Sequence, residues 1–105
     1  QVEGGMIQAL GYGHCAEMAY DEAGRMVNAR LGPYKIYRAD EMPRIEAYLV
    51  QTMEKSGPCG AKAIAEIPKD GVAPAIRSAS GIATGVWIDA IPFPPERVWR
   101  ALNAG

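Results

Sequence analysis

The stretch Ile45-Glu46-Ala47-Tyr48-Leu49-Val50-Gln51-Thr52-Met53 decides how the chain is read. Ile45, Ala47, Leu49, Gln51 and Met53 share one side of an extended chain, and Glu46, Tyr48, Val50 and Thr52 share the other. A period of two with β-branched and aromatic residues predicts a β-strand. Downstream, residues 54–57 read as a loop. Residues 61–67 then form a second short apolar strand or extended run, ending at Glu66 and Pro68. Upstream, Asp21-Glu22-Ala23-Gly24 is a turn signal, and residues 25–30 read as a short strand broken by Gly32-Pro33. Residues 86–91 read as another.

Helical spacing appears at three places. Met6, Ile7, Leu10, Cys15 and Met18 recur at intervals of three and four within residues 4–20. Gly5, Gly11 and Gly13 weaken that helix by about 1 kcal/mol each relative to alanine. They make sense where a helix packs closely on another element. Val72, Ile76, Ala79 and Ala83 predict a helix over 72–84, with Pro74 in its first turn and Gly85 as its stop. Pro94-Pro95 starts a terminal helix through Leu102. The order of helix, strands, helix, strand and helix predicts an α+β fold: a two-layer unit of a small sheet packed with about three helices.

At 105 residues the chain makes at most one small domain, spanning 1–105. Its apolar fraction of 49% and charged fraction of 22% are those of a globular protein rather than a disordered tail. A net charge of −1 gives no electrostatic case for nucleic acid or an anionic membrane. No apolar run approaches the roughly 20 residues of a membrane span, and no signal peptide is visible. Cys15 and Cys59 lack partners at metal-ligand spacing, and His14 has no neighbour that would complete a ligand set. No protein-held metal site is expected. Reduced cysteines and absent signals point to a cytoplasmic protein.

The segment Gly57-Pro58-Cys59-Gly60-Ala61-Lys62-Ala63-Ile64-Ala65-Glu66-Ile67-Pro68 carries the clearest chemical candidate. A run of small residues has few side chains to shield its backbone, so it can lie close to a ligand. A carboxylate at its end, Glu66, would be partly desolvated, which raises its pKa and suits it to proton transfer. The other reading is a strand that ends in a solvent-facing glutamate.

Read with the rest of the chain, that segment carries a resemblance. The chain opens Gln1-Val2-Glu3-Gly4-Gly5-Met6-Ile7-Gln8-Ala9-Leu10-Gly11 and continues through Tyr34-Lys35-Ile36 and Asp40-Glu41-Met42-Pro43. It closes with Pro74-Ala75-Ile76, Ala83-Thr84-Gly85 and Pro92-Phe93-Pro94-Pro95-Glu96-Arg97-Val98. In this order and spacing these segments resemble the C-terminal end of the molybdenum hydroxylase large subunit. Xanthine dehydrogenase, aldehyde oxidoreductase and molybdenum-type carbon monoxide dehydrogenase belong to that family. The resemblance covers essentially the whole chain. It implies a fragment of a larger subunit, part of a molybdopterin-binding catalytic domain.

The resemblance implies a molybdopterin-type molybdenum cofactor whose metal is held by dithiolene sulfurs rather than by protein side chains. It also implies iron–sulfur clusters and a flavin (FAD), or another acceptor, on other domains or subunits. The reaction it implies is oxidation of a small aldehyde or N-heterocycle with oxygen derived from water. Lys62-Ala63-Ile64-Ala65-Glu66 fits the family pattern around its active-site glutamate, so Glu66 takes the place of the catalytic base. The position before that glutamate is usually glycine, and here it is Ala65. An alanine there implies either an ordinary backbone or an altered site. Gln1 matches a glutamine that hydrogen-bonds the pterin, and an amide suits pterin ring edges. Gln8, Gly4, Gly5, Lys62, Ala63 and Ala65 complete the candidate cofactor wall. Implied partners are the upstream molybdopterin-binding domains and the iron–sulfur and flavin units, without nucleic acid or membrane. On this reading the isolated fragment is inactive and prone to self-association. Two alternatives are a non-catalytic structural or interaction domain of the same family and a small anionic-ligand binding module using the Gly4-Gly5 helix start.

Overall fold

Small residues four apart decide where the first helix packs. The structure, a computed structural model, describes residues 1–104; Gly105, the last residue of the expected 1–105 unit, lies outside the described residues. Helix α1 spans Val2–His14, starting two residues before and ending six residues short of the 4–20 segment that the spacing predicts. Gly5, Ala9 and Gly13 line one side of it. A Cβ built on Gly5 would stand 2.7 Å from Pro68 Cβ, and one on Gly13 would stand 3.0 Å from Ile76 Cδ1. Side chains larger than these would push the neighbouring helices away. The glycines that weaken an isolated helix are therefore what allows the close packing.

Those neighbours are α2, the single turn Ile67–Asp70, and α3, Val72–Thr84. They are separated only by Gly71, which keeps helical angles, φ −84° and ψ −18°. Helix α3 has the predicted bounds. Gly85 ends it in the left-handed conformation, φ +75°, and its N–H bonds the Gly81 carbonyl at 2.8 Å. Helix α4, Pro95–Leu102, starts at its proline as predicted. Arg97 ties it down, donating to the Pro92 carbonyl and to Glu17 Oε1. The Phe93 N–H bonds the Gly13 carbonyl at 2.8 Å, and the Phe93 side chain is only 3% exposed. The connection to α4 thus docks on the end of α1.

The expected two-layer α+β unit is not what the chain forms. Among the described residues there is no β-strand and no sheet. Extended geometry is present, but ladders are not. Of residues 25–30 only Met26 pairs, in a single antiparallel bridge with Tyr20 across the predicted Asp21–Gly24 turn; Leu31 and Tyr34 make a second isolated bridge. Residues 86–91 fold back on α3 instead, because Trp87 seats its ring on Gly81 and Arg77 lies over that ring, 5.0 Å from its centroid, while pairing with Asp89. Residues 61–64 lead into a turn without strand pairing, and residues 45–53 are irregular and form no ladder. A strand needs a neighbour to take its N–H and C=O groups. Alternating side chains specify which face such a strand would bury, but they do not supply the neighbour.

The result is an open shape. The radius of gyration is 17.5 Å, against about 13 Å for a compact domain of this length. The accessible surface is 8328 Å², against roughly 5,700 Å² for a folded monomer of this mass. Among the described residues the buried apolar side chains are few, Ala9, Pro92 and Phe93, whereas Tyr48, Leu49, Val50 and Met53 are each more than 80% exposed.

Candidate functional site

Helix α1 sorts the N-terminal candidates onto two sides. Positions 1, 4 and 8 fall along one stripe at helical spacing. Gln1, Gly4 and Gln8 are all exposed there, and a Cβ added to Gly4 would meet nothing within 4 Å. Gly5 belongs to the neighbouring stripe and faces Pro68. The first three candidates therefore look onto open space, and the fourth is spent on packing.

The open side of α1 forms one wall of a groove of about 680 Å³. Gly4, Ile7, Gln8, Gly11 and Tyr12 contribute that wall; Tyr34, Ile36, Tyr37 and Met42 contribute the other, and Lys69 of α2 stands beside them. The second wall is pinned from both ends. Tyr37 hydroxyl and His14 Nδ1 lie 2.6 Å apart, and their rings stack. The Glu41 carboxylate accepts the Arg38 N–H at 2.9 Å, closing the single 3₁₀ turn Ala39–Glu41. That backbone hydrogen bond is the main reason the Glu41 carboxyl titrates below its ordinary range, with the Arg38 guanidinium assisting. Burial pushes the Tyr37 hydroxyl and the Cys15 thiol up, and the Glu41 charge adds to both.

Glu66 stands at the entrance to α2. Its carbonyl accepts the Lys69 N–H at 2.7 Å, and Ile67 N–H reaches the Ile64 carbonyl at 3.4 Å. Residues 64–67 thus form a tight turn, with Ala65 at φ +48° and Glu66 at φ −88°, ψ −4°. A positive φ at the first central position is the place where such a turn favours glycine. The backbone before Glu66 is therefore not ordinary: Ala65 occupies a glycine-type conformation. The Glu66 side chain is exposed and, among the described residues, has no hydrogen-bond or ion-pair partner. Any desolvation of this carboxylate has to come from groups outside the chain.

Lys62 and Ala63 lie in the run before that turn, both exposed, and Lys62 donates to Thr52 Oγ1. That contact joins Lys62 to the 45–53 segment rather than to α1. Lys69 is the residue that the sequence reading missed. Taking 61–67 as a strand hid the fact that a helical turn begins at Ile67 and brings Lys69 one turn from Glu66 and onto the groove. The Pro68 position after Glu66 was the available signal, since proline favours the first turn of a helix.

The chain thus sets a glutamate-bearing turn beside a helix with an open polar stripe. A family model described as molybdopterin cofactor-binding domain matches residues 1–43. The chain is 37% identical over 104 residues to the probable hypoxanthine oxidase XdhD of Escherichia coli K12, covering 98% of this chain and 11% of that protein. It is 36% identical to the xanthine dehydrogenase molybdenum-binding subunit of Escherichia coli O157:H7, covering 98% of this chain and 14% of that subunit. Quinoline 2-oxidoreductase from Pseudomonas putida 86 superimposes with a TM-score of 0.86 at 27% identity, over 97% of this chain and 13% of that one. The chain belongs to the molybdenum hydroxylase large-subunit family, that of the xanthine dehydrogenase and carbon monoxide dehydrogenase large subunits. It spans between 11% and 14% of the length of these curated relatives.

Proposed function

We propose that this chain is the C-terminal part of a molybdopterin-binding domain in a molybdenum hydroxylase, and that it supplies the catalytic base, Glu66, together with one edge of the cofactor wall. The observation that carries the reading is the docking of the Glu66 turn against α1, the helix whose open stripe presents Gln1, Gly4 and Gln8. These residues fit a pterin. The amides of Gln1 and Gln8 offer both donors and acceptors, and the empty space over Gly4 admits a planar group close to the backbone.

The molybdenum cofactor, when bound, supplies the redox centre for oxidising an aldehyde or N-heterocycle with oxygen from water. The work left to the chain's own residues is acid–base and positional. The Glu66 carboxylate accepts the proton given up as the water-derived nucleophile forms. On this reading the remainder of the subunit closes over the exposed side of the turn that carries this carboxylate. Lys69, one turn away, adds positive charge beside the groove. Iron–sulfur and flavin units carry the electrons onward as partners, and the unpaired Cys15 and Cys59 suit a reducing, cytoplasmic setting.

The test uses the natural polypeptide that carries this sequence. It should contain close to one molybdenum per chain. Glu66→Gln should leave that content unchanged and lower turnover by about 10²–10⁴-fold, the range for losing a general base. Near-normal turnover of Glu66→Gln would remove Glu66 from this role. A mature polypeptide without molybdenum would favour a non-catalytic domain, with Ala65 in place of glycine as the residue that marks it.

A further inference from the structure

We infer that Gly5 and Pro68 are positioning residues for Glu66: a notch in α1 and the peg that fills it. The inference rests on the reading of Glu66 as the base and assigns Gly5 a different role from contact with cofactor.

Three observations converge on it. Gly5 has no Cβ, and the space a Cβ would fill is taken by Pro68, whose Cβ would stand 2.7 Å from it and whose Cγ would stand 3.3 Å from it. Contacts at the shorter distance do not occur between real carbon atoms, and neither partner can yield easily. One is helix backbone and the other a closed ring with a fixed φ. Next, Pro68 lies two residues after Glu66, inside the turn that Glu66 opens; the Lys69 N–H to Glu66 carbonyl bond, 2.7 Å, closes that turn around Pro68. A displacement of Pro68 is therefore passed to Glu66 through short, hydrogen-bonded backbone. Last, nothing else holds Glu66. Its side chain has no partner among the described residues, and the residue before it, Ala65, sits at positive φ. The position of the carboxylate is set by where α2 docks, and α2 docks where Gly5 lets it.

Gly4, the adjacent glycine, serves as the internal contrast. A Cβ there meets nothing within 4 Å, so space within the chain places no demand on it. Two neighbouring glycines thus have different duties, one against the α2 turn and one on the open stripe.

The experiment is a mutant cycle in the full-length, metal-loaded enzyme, with turnover, molybdenum content and thermal midpoint measured for every member. Gly5→Ala should push Pro68 away and lower turnover on the order of 10²-fold, the loss expected when a reacting group is misplaced by about 1 Å. Molybdenum content should be unchanged. Pro68→Gly removes the colliding atoms, so Gly5→Ala/Pro68→Gly should return to the turnover and midpoint of Pro68→Gly alone. In a Glu66→Gln background, Gly5→Ala should produce no further loss, because its effect runs through the missing carboxylate. An equal loss with and without Glu66 overturns the inference and leaves the base assignment intact. Near-normal turnover of Glu66→Gln by itself overturns the base assignment instead. Where Gly5→Ala does not accumulate as folded enzyme, Pro68→Gly takes its place in the cycle. Its turnover should fall in the native background and be unaffected in the Glu66→Gln background; equal loss in both overturns the inference.

Discussion

Ala65 holds a positive φ immediately before Glu66, and its backbone shows what that conformation costs a residue with a side chain. At φ +48° its methyl group is forced into a region that a non-glycine residue enters at a cost on the order of 1–3 kcal/mol. Glycine would adopt the same angles freely but would lose about 0.4–1 kcal/mol through its greater freedom in the unfolded chain. The difference favours glycine. Ala65→Gly in the natural polypeptide should therefore stabilise this region by on the order of 1 kcal/mol, read as slower hydrogen exchange of the Ile67 and Lys69 amides. Ala65→Val should speed the same amides, because a β-branched residue tolerates positive φ least. Slower exchange in Ala65→Val would mean that the turn around Glu66 is not held in this conformation in solution. The resemblance implied a glycine before Glu66; the positive φ that favours one was not legible, because it is a property of the turn and residues 61–67 pattern as a strand.

At the scale of elements, the helices were legible and the strands were not, for one physical reason. Helix α3 carries its own start, period and stop: Pro74 in the first turn, apolar residues at helical intervals and Gly85 in the left-handed cap. Each signal acts within a few residues. Helix α4 likewise starts on Pro95. The four predicted strands have period-two patterning, but a strand is completed by a partner that local sequence does not contain. Residues 86–91 show what replaces the ladder. Trp87 lies against Gly81, where a Cβ would fall inside the indole ring's van der Waals envelope, and Arg77 caps the ring from above. Gly81→Ala should gain about 1 kcal/mol in helix propensity and lose about 1–3 kcal/mol by overpacking against Trp87. Overpacking wins where the neighbour is a rigid ring. The expected result is release of Trp87 into water, seen as a red shift of its fluorescence in a Trp99→Phe background. An unshifted spectrum would show that the ring does not sit on α3. The candidate site divides the same way. The stripe of Gln1, Gly4 and Gln8 follows from helical spacing alone, whereas the seating of Gly5 on Pro68 joins residues 63 positions apart in sequence.

For the whole molecule, the area in contact with water is the deciding quantity. The surface exceeds that of a compact monomer by on the order of 2,500 Å², more than the roughly 1,600 Å² buried in a standard protein–protein interface. The excess is apolar where it is most concentrated: Leu49 and Val50 together with Tyr48 and Met53, in a segment whose backbone also lacks partners. At about 25 cal/mol per Å², leaving such surface in water costs more than a small domain's net stability, roughly 5–15 kcal/mol. A chain with this surface folds stably only when something covers it. Relatives seven to nine times its length supply the natural candidate, the remainder of the subunit. Met53 reports on this directly, because the residue is 81% exposed in the chain itself and thioether oxidation follows exposure. Dilute peroxide should convert Met53 to the sulfoxide quickly in the isolated chain, which should also sediment as associated species. In the natural polypeptide the same oxidation should be at least tenfold slower, followed by mass spectrometry of the peptide containing residues 45–53. Equal rates in the two preparations would mean that this face stays in water and that the rest of the subunit packs elsewhere.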